Sequence, residues 1–252
     1  VACFGASTGS INLSVSGGTP IYSYTWNSGQ GTQDIFALDT GYYQVIVTDI
    51  NDCVDSISTI ITQPAAPISI TETHVDILCF GASTGSIDIT PSGGTPSVLN
   101  GYIYDWSNNQ TTEDIQTIPA GTYEVIVSDS LQCTDTLEVT LTQPQAPLDV
   151  TFTIENVKCF GDSTGSLLAN ITGGTTPYEF GWSTLDSTLF IDSLPLGNYV
   201  ISVIDSNNCT YSETALVTQP SAPLSATYVE VQPQCFGYSD GQLILTTTGG
   251  TP

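Results

Sequence analysis

Short runs in which apolar and polar residues alternate fill the chain, and Gly, Pro, Asn and Asp residues separate them. Tyr102, Tyr104 and Trp106, for example, occupy every second position, which places them on one face of a strand. Segments of this kind around the middle of the chain are 67–79, 85–92, 102–106, 112–118, 123–127 and 137–141. No window shows an apolar stripe of helical period. The pattern predicts an all-β protein.

The same pattern repeats along the chain. A Cys-Phe-Gly segment begins at Cys3, Cys79, Cys159 and Cys235, at offsets of 76, 80 and 76 residues. A second interval is also constant along the chain: Trp26, Trp106 and Trp182 each lie 27 residues before Cys53, Cys133 and Cys209. The longer offset comes from a four-residue insertion near 97–100, which indicates a surface loop. The chain is therefore a tandem repeat with a unit of 76–80 residues.

Proline-containing segments mark the predicted module boundaries. The sequence Thr-Gln-Pro-x-Ala-Pro occurs at 62–67, 142–147 and 218–223, where two prolines stiffen a short linker. We predict a partial module at 1–63 that lacks its first strand, full modules at 64–143 and 144–219, and the N-terminal half of a module at 220–252. The absence of Met and the start at Val1 suggest a piece of a longer or processed chain.

Two features favour immunoglobulin-like β-sandwiches arranged end to end. One is the core Trp on the third strand of each module, at Trp26, Trp106 and Trp182. The other is a Leu/Ile-x-x-Gly-x-Tyr motif typical of a tyrosine corner, in which the Tyr hydroxyl bonds to nearby backbone. Its tyrosines are Tyr43, Tyr123 and Tyr199. Six or seven short strands in about 80 residues agree with such a sandwich.

The cysteine spacing suggests one disulfide within each module. The second cysteine of each module follows the tyrosine by ten residues, past the end of its strand. We predict that a disulfide staples the turn after the first strand to this later turn at one pole of the same module, and that Cys235 pairs outside the sequence. The predicted pairs are Cys3–Cys53, Cys79–Cys133 and Cys159–Cys209. Unpaired buried thiols are the alternative; without any CxxC motif, metal ligation is disfavoured. Paired cysteines would imply an oxidising compartment.

Charge excludes several classes of function. One Lys, no Arg and 25 acidic residues give a formal charge of −24, so the chain has almost nothing with which to neutralise phosphates. We expect no nucleic-acid partner and no attraction to anionic membranes. The chain contains no run of 18 apolar residues, so we predict no membrane insertion. The single His, His74, leaves no Ser–His–Asp or Cys–His arrangement, and we expect no enzyme activity and no catalytic residue.

Two kinds of surface site remain candidates. Oxygen-rich turns could bind Ca²⁺ as the one possible cofactor, although such residues also serve the hydrogen bonds of the turns themselves. The weak candidate ligands are Asp49, Asn51, Asp52, Asp205 and Asn207. An Asp followed by Ser or Thr is similar to the O-glycosylation motif of exported Bacteroidetes proteins. The candidate sites of that kind are Ser56, Ser130, Thr136, Ser163, Ser187 and Ser193.

The whole unit, C-F-G-x-S-T-G followed by G-G-T-P-x-Y-x-Y-x-W, L-x-x-G-x-Y and T-Q-P-x-A-P, resembles the SprB repeat. The resemblance implies a very long cell-surface protein of gliding Bacteroidetes, exported by the type IX secretion system. It implies an adhesin that contacts an external surface or glycan and works with outer-membrane secretion and motility machinery through other regions.

Three hypotheses about function follow. The first is a repeat segment of a filamentous adhesin, which acts as stalk and adhesive surface in gliding. The second is a passive sheath, surface-layer or intercellular filament whose modules contact other copies. The third is a glycan-binding array, since the Tyr-x-Tyr-x-Trp triplets could form a sugar-stacking strip; that reading requires exposed tryptophans, whereas core filling buries them.

Overall fold

The computed structural model describes residues 1–251, which contain nineteen β-strands and no helix. The all-β prediction is confirmed. The chain forms two compact units: Val1–Asp76 together with Ser83–Thr142, and Ile77–Ala82 together with the chain from Gln143 onward. The module boundaries given above remain predictions, and the module names are kept for those segments.

The first module contains five strands. They are β1 (Gly9–Ile11), β2 (Ser23–Trp26), β3 (Ile35–Leu38), β4 (Gly41–Thr48) and β5 (Val54–Ile61). Strand β1 pairs with β3, and β4 lies between β2 and β5 in a second antiparallel sheet. A strand that would precede β1 in an immunoglobulin-like sandwich is not among residues 1–63.

The second module has the complete sandwich. Its strands are β6 (Ser69–Val75), β7 (Gly85–Ser92), β8 (Ile103–Trp106), β9 (Ile115–Ile118), β10 (Gly121–Ser128) and β11 (Thr134–Leu141). The sheet orders are β6-β7-β9 and β8-β10-β11. In chain order these are strands A, B, C, E, F and G, with A-B-E in one sheet and C-F-G in the other. This is the immunoglobulin-like topology that the sequence predicts.

The third and fourth modules belong to the other compact unit. The third has the strands β12 (Asp149–Glu155), β13 (Gly165–Thr172), β14 (Tyr178–Trp182), β15 (Phe190–Leu194), β16 (Gly197–Asp205) and β17 (Thr210–Val217). It repeats the A-B-E and C-F-G sheets as β12-β13-β15 and β14-β16-β17. The fourth segment contributes an exposed antiparallel pair, β18 (Ser225–Val231) and β19 (Gln242–Thr248).

Alternation along the strands builds each core. In the third module, Leu167 and Ala169 of the A-B-E sheet lie in one buried cluster with Trp182, Ile201 and Val203 of the C-F-G sheet. The residues between them point outward, as a half-buried strand requires. The tryptophans of the aromatic triplets fill the cores, because Trp26, Trp106 and Trp182 are only 2–4% exposed.

The tyrosine corner is present in all three modules that contain the motif. Tyr123 Oη donates a hydrogen bond to the Pro119 carbonyl at 2.8 Å. The equivalent bonds run from Tyr43 to Asp39 at 3.1 Å and from Tyr199 to Pro195 at 2.9 Å. Burial raises the pKa of both Tyr123 and Tyr199. The corner fixes the backbone where the chain enters strand F.

The Gly-Gly-Thr-Pro segment after strand B must contain glycine. Gly93 has φ of 77°, and a Cβ at that position would lie 1.9 Å from the Pro67 carbonyl oxygen. The close approach allows Gly94 N to donate to the Ala66 carbonyl at 2.9 Å. The glycine pair therefore holds the Pro-containing linker against the start of its own module.

Candidate functional site: the cysteine loops

The A–B loop, between strands A and B, carries the first cysteine of each module on a preformed turn. A backbone amide three residues on donates to each cysteine carbonyl: Ala6 to Cys3, Ala82 to Cys79, Asp162 to Cys159 and Tyr238 to Cys235, at 3.1–3.2 Å. The Gln of Thr-Gln-Pro supports three of these loops from the end of strand G. Gly5, Gly81 and Gly161 donate to Gln63, Gln143 and Gln219 at 2.8–2.9 Å.

The F–G turn carries the second cysteine, and one aspartate organises it. In the second module, Asp129 Oδ1 accepts hydrogen bonds from the amides of Leu131 and Cys133, and Oδ2 accepts one from Thr95, at 2.8–2.9 Å. Gln132, between them, has φ of 64°. Asp49 and Asp205 make the same three bonds in the first and third modules.

Sequence reasoning did not assign this aspartate its role. The available signal was its constant position four residues before each second cysteine. Hydrogen bonds from backbone amides, first from Thr19 and then from Cys53, lower the pKa of Asp49 below its ordinary value. In its ionised form, the Asp49 carboxylate therefore holds the turn.

The disulfides join different modules, so the predicted pairing within modules is wrong. Cys3 bonds to Cys133 and Cys79 bonds to Cys209, and each pair has a Cα–Cα distance of 5.6 Å and a sequence separation of 130 residues. Each bond joins the A–B loop of one module to the F–G turn of the next. The predicted pairs Cys3–Cys53, Cys79–Cys133 and Cys159–Cys209 are not formed.

The physical reason is visible in the third module. Its F–G turn lies just past the end of strand B (β13), where Thr175 N donates to Asp205. At this same end, the first residue of strand A, Asp149, pairs with the last residue of strand B, Thr172. The A–B loop with Cys159 lies at the other end of β12 and β13. Seven residues of strand span roughly 23 Å, whereas disulfide Cα atoms lie within about 7 Å. The two cysteines of one module thus lie at opposite poles.

Three cysteines are unpaired and exposed in the described residues: Cys53, Cys159 and Cys235. Cys53 lies on an F–G turn, and the other two lie on A–B loops. Their turns have the same backbone hydrogen bonds as those of the bonded cysteines, including Asp49 N to the Cys53 carbonyl at 3.0 Å.

The candidate calcium ligands serve the turn itself. Asp49 and Asp205 accept the backbone bonds described above, and Asp52 has φ of 64°. Asn51 donates to Thr19 Oγ1 at 2.9 Å, and Asn207 donates to Thr175 Oγ1 at 3.0 Å. Among residues 1–251, no three His, Cys, Asp or Glu side chains lie close enough to hold a metal ion. Calcium binding stays a prediction.

The candidate glycosylation residues are all exposed: Ser56, Ser130, Thr136, Ser163, Ser187 and Ser193. Ser130 Oγ donates to the Thr95 carbonyl at 2.7 Å, so its hydroxyl takes part in the F–G turn. Glycosylation at these positions stays a prediction.

The first module has an open groove of about 310 Å³ beside its F–G turn. Residues that line it include Leu13, Val15, Gly18, Val47 and Ile57. Gly94, the equivalent of Gly18 in the second module, lies against the Ile68 side chain, just before strand A. The groove therefore corresponds to the place that strand A and the residues just before it cover in the other modules.

No helix within residues 1–251 is long and apolar enough to cross a membrane.

Several solved structures are similar to this chain. Drosophila OTK extracellular domains 3–5 align at 11% identity over 80% of this chain and 86% of that chain, with a TM-score of 0.30. PcdhgB3 EC1-4 aligns at 12% identity over 85% and 71%, with a TM-score of 0.33. The N-terminal eight Ig domains of DSCAM align at 15% identity over 86% and 40%, with a TM-score of 0.24. The fold assignment rests on strand topology and the tyrosine corner.

The sequence itself identifies the family. No curated protein matches significantly. The SprB repeat family model, however, matches residues 1–31, 71–111 and 151–187. Each matched segment contains a first cysteine and the core tryptophan of one module, and their recurrence confirms the resemblance stated above. These three segments of the chain therefore match the SprB repeat family.

Proposed function

We propose that the chain is a tension-bearing stalk segment of an extracellular, cell-surface adhesin. The single observation that carries this proposal is the pair of disulfides between successive modules. Residues 3–133 and 79–209 form overlapping covalent loops, so a pull along the chain passes through both bonds. A module that unfolds under load would then release less length than it would without the bonds. The match to the SprB repeat family supports the adhesin role.

The composition suits an external stalk. A formal charge of −24 opposes self-association of neighbouring stalks at low ionic strength. One Lys and no Arg leave trypsin-like proteases a single cleavage site. No catalytic role is proposed, and the external partner is a surface or glycan contacted by the parent protein.

Single-molecule stretching of the chain, held at its two termini, tests the stalk proposal. With both disulfides intact, the shortest covalent route follows residues 1–3, crosses to 133, returns to 79, crosses to 209 and continues to the end. That route extends to about 350 Å at about 3.5 Å per residue. After reduction the whole chain extends to about 880 Å. Full extension of the oxidised chain would overturn the proposal.

We further propose that the parent adhesin serves in gliding motility. Beads coated with antibody to one module, added to living cells, test this role. Beads that bind and travel along the cell support a mobile adhesin. Beads that bind and stay still would instead indicate a passive sheath or surface-layer filament. Beads that never bind would contradict display on the surface.

A glycan-binding array that uses the tryptophans gains no support from the observed geometry. Each Trp Nε1 donates to a backbone carbonyl within its own module: Thr32 for Trp26, Thr112 for Trp106 and Thr188 for Trp182, at 2.8–2.9 Å. With their rings buried, the tryptophans have no face free for sugar stacking.

A further inference from the structure

The seven cysteines fall into two complementary kinds. Those on A–B loops are Cys3, Cys79, Cys159 and Cys235, and those on F–G turns are Cys53, Cys133 and Cys209. Both disulfides join one cysteine of each kind, and in both the F–G cysteine belongs to the following module. Neither bond joins two cysteines of the same kind.

The two junctions also agree in their detailed contacts. Cys133 Sγ lies 3.4 Å from the carbonyl oxygen of Ala2, the residue before its partner Cys3. Cys209 Sγ lies 3.4 Å from the carbonyl oxygen of Leu78, the residue before its partner Cys79. Two junctions with different flanking sequences therefore share one docking geometry, which makes the pairing a property of the repeat.

One rule accounts for the unpaired cysteines. In both disulfides an A–B-loop cysteine pairs with the F–G-turn cysteine of the following module, and for Cys159, Cys235 and Cys53 that complementary cysteine is not among residues 1–252. The turns that carry these thiols are nevertheless already formed, with the same backbone bonds as the paired ones. All three thiols are exposed. Each is one half of a junction that is ready for its complement.

We propose that Cys53, Cys159 and Cys235 are covalent attachment sites for another copy of this repeat, and that they select their partner by kind. Cys53 takes an A–B-loop cysteine, whereas Cys159 and Cys235 each take an F–G-turn cysteine. Docking of the two loops brings the sulfurs together, so the selection comes from the fold of the loops.

Bond formation requires an oxidant of the disulfide class. Each of the two thiols loses its proton, the pair loses two electrons, and one S–S bond forms. The oxidant's own disulfide accepts the two electrons and two protons and becomes two thiols. Exchange with such a disulfide is reversible, so the docked pairs accumulate at equilibrium.

The test uses the purified chain in a mixture of reduced and oxidised glutathione. After equilibration and alkylation, non-reducing gels and mass spectrometry of linked peptides report the pairs. We expect disulfide-linked oligomers in which Cys53 of one copy bonds to Cys159 or Cys235 of another. Links between like cysteines at a random share, or a chain that stays monomeric while Cys3–Cys133 forms, would overturn the proposal.

A matched pair of variants makes the test selective. Cys53→Ser removes the one unpaired F–G thiol and leaves two exposed thiols; we expect it to abolish the oligomers. Cys235→Ser also removes one exposed thiol, and we expect oligomers through Cys53 and Cys159 to persist. Simple surface oxidation would instead let Cys53→Ser dimerise through Cys159 or Cys235. That result would contradict selection by kind.

Discussion

Asp129 and Cys133 are joined by two hydrogen bonds across the F–G turn of the second module. The Cys133 amide donates to Asp129 Oδ1 at 2.9 Å, and the Asp129 amide donates to the Cys133 carbonyl at 3.0 Å. The aspartate is 1% exposed and Cys133 is 9% exposed. The cysteine that bonds to Cys3 is therefore presented by a turn whose shape depends on one carboxylate.

Replacement of that carboxylate tests its role in the turn. Asp129→Ala leaves three backbone amides without an acceptor, and each such loss costs about 1–3 kcal/mol where water cannot replace it. We expect faster hydrogen exchange at Thr95, Leu131 and Cys133, measured by NMR or mass spectrometry. Asp105→Ala, at an exposed position of β8, is the control. Equal exchange rates in both variants would contradict the role of Asp129.

The single lysine gives a direct test of the disulfide pairing. Lys158 lies between Cys79 and Cys209, so trypsin cuts inside that covalent loop. We expect the alkylated, unfolded chain to remain one species on a non-reducing gel after digestion and to separate into two fragments when reduced. Cys209→Ser should separate without reduction. Separation of the oxidised wild-type chain would favour pairing within modules.

Acid should weaken the F–G turn of the first module. The pKa of Asp49 is lowered in the folded state, which means that the fold stabilises the ionised carboxylate. That stabilisation is fully present above the unfolded pKa of about 3.9 and is lost as the pH falls through the folded pKa. We expect the difference in Tm between the wild-type chain and Asp49→Asn to be constant from pH 7 to 5 and to shrink below about pH 4. A difference independent of pH would contradict this assignment.

The tyrosine corner should make a measurable contribution to stability. Tyr123→Phe removes the donor to the Pro119 carbonyl while keeping the ring in the core. We expect a loss of about 1 kcal/mol in the free energy of unfolding, the typical net value of one hydrogen bond. Chemical denaturation followed by tryptophan fluorescence measures it. Tyr42→Phe, at an exposed tyrosine, should leave stability unchanged.

Much of the fold was predictable because it depends on local and periodic information. Period-two alternation placed Tyr104 and Trp106 on one strand, and the structure has them in β8. The segment 85–92 matches β7 in full. The Gly-x-Tyr motif located the tyrosine corner because its hydrogen bond spans only four residues. These features require no knowledge of which parts of the chain meet at a distance.

The candidate site was predictable only in part. The sequence by itself determined which residues form the cysteine loops, their repetition, and the acidic surface. Tertiary structure decided the pairing, because a spacing of 50–54 residues between the two cysteines of every module is compatible with bonds inside modules or between them. Strands A and B separate the A–B loop from the F–G turn by the length of the sandwich, so Cys159 and Cys209 cannot meet. Only a loop of the neighbouring module comes within disulfide distance, as Cys79 does for Cys209.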